Sequence, residues 1–203
     1  MKQASRLLSL LVLVAAFAVL AGSACKKIPE RAWTPGAFQP VNTNIQTFTW
    51  PTGVTVDTLN GYEEDPDAQE SNTPLYLVVS NSGSDVSVTL PAGLVFAPAD
   101  PTTFEYMMLV KPFTFTATGG GTSTAILPTY GCNEDSADVP SADCFYTVAG
   151  KEYDKETQVL LDVMAGKTIT GDDNKELVQL GLTEITEGPG LADSTKTALQ
   201  NLQ

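Results

Sequence analysis

Three cysteines are the residues of this chain best equipped for chemistry, and two of them lie close together. Cys132 and Cys144 bracket "NEDSADVPSAD", eleven residues that include Glu134, Asp135, Asp138, Pro140 and Asp143. In an oxidising compartment such a pair is expected to form a disulfide, closing a loop short enough to add up to about 3 kcal/mol of stability. The four acids invite a second chemistry, because Ca²⁺ gathers six to eight oxygens from clustered carboxylates and carbonyls. Their spacing follows no known calcium loop, so a solvated acidic face competes with that reading. The run Glu63, Glu64, Asp65 and Asp67 is read as loop solubility in the same way. No cofactor is expected.

The remaining chemistry is bounded by what the composition omits. The 203 residues contain no histidine, which removes His-based triads and His-ligated metals. Acids remain, but no two are singled out as a hydrolytic pair, so no enzyme is expected. With 24 acidic and 11 basic residues the formal charge is -13, and no lysine or arginine occurs between Arg31 and Lys111. A surface of this sign repels phosphate backbones, which argues against nucleic-acid binding.

Period-two patterning dominates the first part of the chain and would supply the framework for those residues. "QTFTW" (46–50), "GVTVDTL" (53–59), "PAGLVFAP" (91–98), "FEYMMLV" (104–110), "PFTFTAT" (112–118) and "STAILP" (123–128) read as short strands. The 91–98 segment, set between prolines, reads as an edge strand. "LYLVVSNSGSDVSVTL" (75–90) reads as a hairpin around Asn-Ser-Gly-Ser, and 61–74 as an acidic loop. Strands at this spacing predict an immunoglobulin-like antiparallel β-sandwich over residues 45–150.

Beyond residue 150 the period becomes helical. Residues 154–167 should form a helix capped by Asp154, with Val159, Leu160, Val163 and Met164 as its apolar stripe. Residues 172–190 should form a second, with Asp173 and Glu176 as a capping box and Leu177, Val178, Gly181, Leu182 and Ile185 on one face. A third over 193–202 would be capped by Asp193 and turn Ala198, Leu199 and Leu202 inward. Helices this short need a surface to pack on, so 151–203 is expected to be an appendage on the sandwich.

The third cysteine belongs to the amino terminus. Lys2 and Arg6, an apolar run from Leu7 to Leu20 broken by Ser9, and the small residues Ala21 to Ala24 follow the order of a secretory signal peptide. The run is shorter than the roughly 20 residues that span a bilayer, so residues 1–24 are expected to be removed. The residues before Cys25 resemble the lipobox of bacterial lipoproteins, with Gly22 where that family favours leucine. The resemblance implies a lipid-bearing Cys25 at the start of the mature chain. Lys26, where an aspartate would favour the inner membrane, implies the outer membrane instead. Lipidation also accounts for the odd thiol, and ordinary cleavage after Ala24 is the alternative. Removing 1–24 takes away Lys2 and Arg6 and no acid, moving the formal charge from -13 to -15. Pro29, Pro35 and Pro40 then mark residues 25–44 as a stiff tether.

A further resemblance joins two distant segments. "VQLGL" (178–182), following Cys132 in the chain, resembles the apolar-Gln-x-x-apolar motif of the thioester domains of bacterial surface adhesins, through Val178, Gln179 and Leu182. In that family the glutamine bonds to a cysteine flanked by an aromatic and an apolar residue, whereas Cys132 is flanked by Gly131 and Asn133. The resemblance implies a Cys132–Gln179 thioester able to acylate a partner amine. On a helical wheel of 100° per residue, Gln179 instead lies roughly 130° from the centre of its apolar face, which predicts a solvated amide.

Together these readings give a lipid-anchored protein of the cell envelope. It is expected to be a non-catalytic binding or structural module, whose partners are the membrane and an envelope or extracellular protein or glycan. The thioester adhesin is its alternative.

Overall fold

The computed structural model describes residues 45–62, 70, 71, 73–133, 138–152 and 154–203. The expected signal peptide 1–24, Cys25 and the tether 25–44 lie outside the described residues, as do Glu134, Asp135 and most of the 61–74 loop. The chain is mainly β, with antiparallel ladders, and ends in three helices.

The nine strands are β1 Val54–Gly61, β2 Leu75–Asn81, β3 Val86–Leu90, β4 Leu94–Pro98, β5 Met107–Leu109, β6 Phe113–Ala117, β7 Gly121–Leu127, β8 Thr129–Gly131 and β9 Tyr146–Lys151. They form three hydrogen-bonded groups, ordered β1-β2-β7, β3-β6 and β8-β5-β4-β9. The ladders β4·β5, β3·β6 and β2·β7 are nested, so β2 to β7 behave as one long hairpin folded over itself around the 99–106 connection.

That nesting corrects the hairpin expected over 75–90. The two strands exist, but β2 lies between β1 and β7 while β3 turns away to pair with β6. Asn81 is the reason. Its side-chain Nδ2 donates to Ser84 O at 2.7 Å and to Ala117 O at 2.9 Å, and its Oδ1 accepts from Gly83 N at 2.9 Å. The turn is thus organised by a buried amide fixed to the end of β6, which a two-residue hairpin would not need.

Other expectations shift for equally local reasons. β4 is an interior strand between β5 and β9, with Pro91 outside it and Pro98 at its last position, where no ladder is interrupted. Residues 47–50 form no ladder. Phe48 and Trp50 still alternate inward, meeting edge to face with centroids 5.1 Å apart against the core. β8, three residues long, and β9, six, escaped the period-two signal.

Alternation in the four-stranded sheet distributes its side chains to two cores. Leu94, Phe96, Met107 and Leu109 join Leu77, Val79, Leu90 and Leu127 in one cluster. Val95, Met108, Val110 and Tyr130 join the helices in the other. A strand buried on both faces carries an unbroken apolar run, which "LVF" and "MMLV" do.

The helices are α1 Lys155–Met164, α2 Asp172–Thr186 and α3 Asp193–Gln200. Asp154 caps α1 as expected, accepting from Glu156 N and Thr157 N at 2.9 and 3.0 Å. The capping box is not formed: the N-cap of α2 is Gly171, with no side-chain cap bond, and α3 likewise starts after Ala192 rather than on an Asp193 cap. α1 buries Leu160, Leu161 and Met164, while Val163 is only partly covered. At Gly181 of α2 an added Cβ would meet Leu199 Cδ1 at 3.0 Å, so this glycine sets how closely α2 and α3 approach. Among the described residues no helix is long and apolar enough to cross a membrane.

Candidate functional site

β8 is an edge strand, and the residues after it are sewn across one end of the sheets. Cys132 N donates to Tyr106 O at 2.8 Å, and Asn133 Oδ1 accepts from Tyr106 N at 2.8 Å. On the far side of the acidic loop, Asp138 N donates to Thr103 O at 2.8 Å. The chain then crosses to β1, where Gly61 N lies 3.2 Å from both Ser141 O and Cys144 O, and Asn60 Nδ2 donates to Ala142 O at 2.7 Å. Ala99 N to Phe145 O, at 2.8 Å, completes the seam.

No disulfide joins Cys132 and Cys144, which corrects the expected bridge. The two side chains belong to different buried clusters, although both lie close enough to the Tyr146 phenol to act on it electrostatically. Cys132 packs in the helix-facing cluster with Val178 and Leu182, and Cys144 in the cluster of Phe96 and Tyr146. Burial raises the Cys144 thiol above its ordinary pKa, which disfavours the thiolate that would react. Burial, and then the hydrogen bond to Cys144, push the Tyr146 phenol upward as well, and its Oη donates to Glu105 O at 3.2 Å.

Gln179 is where the structure departs furthest from the helical wheel. Its amide is not a solvated surface group. Nε2 donates to Gly131 O at 2.8 Å and to Thr183 Oγ1 at 3.2 Å, while Oε1 accepts from Gly131 N at 3.1 Å. The side-chain amide thus pairs with the open edge of β8 as a neighbouring strand would, one residue from Cys132. The wheel failed because it measures distance from an apolar face, and an edge strand offers a polar surface to the flank of that face. Glu105, 1% exposed, lies over the same glycine: a Cβ on Gly131 would stand 1.9 Å from Glu105 Oε2. Nothing in the sequence marks Glu105 or Gly131 as neighbours.

Of the acidic candidates, Glu134 and Asp135 lie outside the described residues and Asp138 and Asp143 are both exposed; among the described residues no three His, Cys, Asp or Glu side chains could together hold a metal ion. The 61–74 loop is tied down at its end by Glu70, whose carbonyl accepts from Tyr130 Oη and whose carboxylate lies 2.9 Å from Lys111 Nζ. Thr73 and Thr129 add reciprocal side-chain to backbone bonds at 3.1 and 2.7 Å. Burial, reinforced by the Glu70 carboxylate, holds the Tyr130 phenol above its ordinary pKa.

Neither a protein-family model, nor a curated protein, nor a solved structure matches this chain.

Proposed function

We propose that this chain is a lipid-anchored, non-catalytic binding or structural module of the bacterial cell envelope, on an immunoglobulin-like antiparallel sandwich. One observation carries the reading: the charged, apolar and small-residue order before Cys25 stands ahead of a body whose terminal loops are pinned to its sheets. Acyl chains contribute about 0.8 kcal/mol per buried CH₂, so a multiply acylated Cys25 would hold the body at a membrane, the outer one by the Lys26 criterion. The acidic body would stand off from anionic headgroups while Lys26, Lys27 and Arg31 meet them. The described ends of the 61–74 and 133–143 loops are hydrogen-bonded to the sheets, and loops carried on such a scaffold suit recognition of a protein or glycan. Cys25→Ser is expected to move the protein from the membrane fraction to the soluble fraction and abolish palmitate incorporation. Labelling that survives the substitution would overturn the anchor.

The second reading, the thioester adhesin, is favoured by the Gln179 amide lying on Gly131, next to Cys132. The Cys132 thiol would add to the Gln179 amide carbon, expel ammonia and leave a carbon–sulfur bond. A partner amine would then take the acyl group and return the thiol. Complete burial of Cys132 would shield such a bond from water. Intact mass decides: a thioester lowers the mass by one ammonia and then gains one methylamine when methylamine opens it, whereas an amide that only caps β8 leaves the mass unchanged and indifferent to methylamine.

A further inference from the structure

Away from the cysteine seam, the edges of two sheets leave a groove between them. β1 closes the three-stranded sheet and β9 the four-stranded one, and where they face each other an open groove of about 450 Å³ is lined by Phe48, Trp50, Val56, Asp57, Phe145 and Thr147 among others. Only four large apolar side chains are exposed among the described residues, and two of them, Phe145 at 59% and Val56 at 37%, are here. The other two, Val139 and Leu180, are not part of it. Exposed apolar surface is therefore concentrated in a concave place, which marks a binding site more often than a scattered residue does.

The lining restricts the occupant in two ways. Among the described residues no lysine or arginine lines the groove, and the one carboxylate there, Asp57, is oriented by a hydrogen bond from Ser80 Oγ. An anionic ligand would be repelled, both locally and by the charge of the whole chain. An extended peptide adding to either edge is disfavoured by the backbone. The β1 ladder is irregular between Val56 and Thr58, and the isolated bridges Asn60–Phe145 and Gln46–Lys151 already occupy edge positions of these segments. A bulged, partly bridged edge does not template a through-running strand. A short neutral ligand with flat apolar faces and hydroxyls at its rim fits this lining. A pyranose ring has both, its C–H face suiting aromatic rings and its hydroxyls suiting Asp57 and the threonines.

We propose that the groove between β1 and β9 binds a neutral oligosaccharide, stacked on Trp50 and Phe145 and hydrogen-bonded through Asp57. The proposal rests on the binding-module reading and gives it a ligand class, but needs no acyl group on Cys25.

Trp50 reports on its own site. The chain has two tryptophans, so Trp33→Phe leaves Trp50 as the sole indole. Titrating that variant with chitotetraose and with cellotetraose is expected to shift its emission to the blue, with a Kd on the order of 1 mM for at least one of the two. Phe145→Ala, a change at an exposed position that leaves the core intact, should weaken binding at least about tenfold. Leu180→Ala, equally exposed but elsewhere, should leave it unchanged. No emission change with either sugar up to about 10 mM, roughly ten times the expected Kd, would overturn the proposal. So would equal binding by Phe145→Ala, or a Trp50 shift that depends on protein concentration alone, which would assign the groove to a second copy of the chain. Failure here would leave palmitate labelling of Cys25 untouched, so the two readings fail separately.

Discussion

Phe96→Ala is expected to destabilise the protein by about 3–5 kcal/mol, which for a domain of this size lowers Tm by on the order of 10 °C. Phe96 is 1% exposed at the middle of β4, between Met107 of β5 and Val148 of β9. Against a total stability of about 5–15 kcal/mol, a loss of that size leaves some of the population unfolded near body temperature. The informative comparison is Met108→Ala, on the opposite face of the same sheet. Met108 is fully buried among helix residues such as Leu160 and Leu182, and its truncation should cost about 2–5 kcal/mol. If the helices docked elsewhere, that face would be solvated and the change nearly neutral. Thermal or urea unfolding of the two variants therefore tests the layered arrangement of sheets and helices, and a cost below about 0.5 kcal/mol for Met108→Ala would refute it.

The same residues show what the sequence carried and what it hid. "LVF" and "MMLV" are continuous apolar runs, so their strand character could be read, but not which alternate residue faces which core. The helices announced themselves through period and, for α1, through Asp154, because a local cap requires only neighbours in the chain. The caps expected at Asp173 and Asp193 failed locally, but the failures that matter for the site involve partners distant in sequence. Asn81 looked like a turn residue of a hairpin because its Ala117 carbonyl lies 36 residues on. Gln179 looked solvated because β8, its true partner, is three residues long and 48 residues away. Cys132 and Cys144 looked paired because spacing along the chain is visible, whereas the burial of their side chains in different clusters is not. The groove between β1 and β9 was hidden for the same reason, although the alternation of Phe48 and Trp50 was in plain view.

Gly61→Ala should be the most damaging small substitution at the seam, by about 1–3 kcal/mol. Gly61 ends β1, and its φ requires no glycine; what requires it is the chain crossing above. An added Cβ would stand 2.5 Å from Ser141 O and 2.7 Å from both Pro140 C and Ser141 C, all backbone atoms that cannot rotate aside. Relief means lifting 140–142 from β1, which breaks the Gly61 N bonds to Ser141 O and Cys144 O and the Asn60 Nδ2 bond to Ala142 O. Cys144 would then lose the cover that keeps its thiol from solvent. The variant should therefore combine a lower Tm with faster reaction of Cys144 toward a thiol reagent under native conditions, while Gly120→Ala, whose Cβ would meet nothing within 4 Å, carries only the local strain of its φ of +66° and leaves that rate unchanged. A Cys144 rate in Gly61→Ala equal to that of the unsubstituted protein would mean that the loop accommodates the methyl without lifting, and that the seam is softer than its backbone contacts imply.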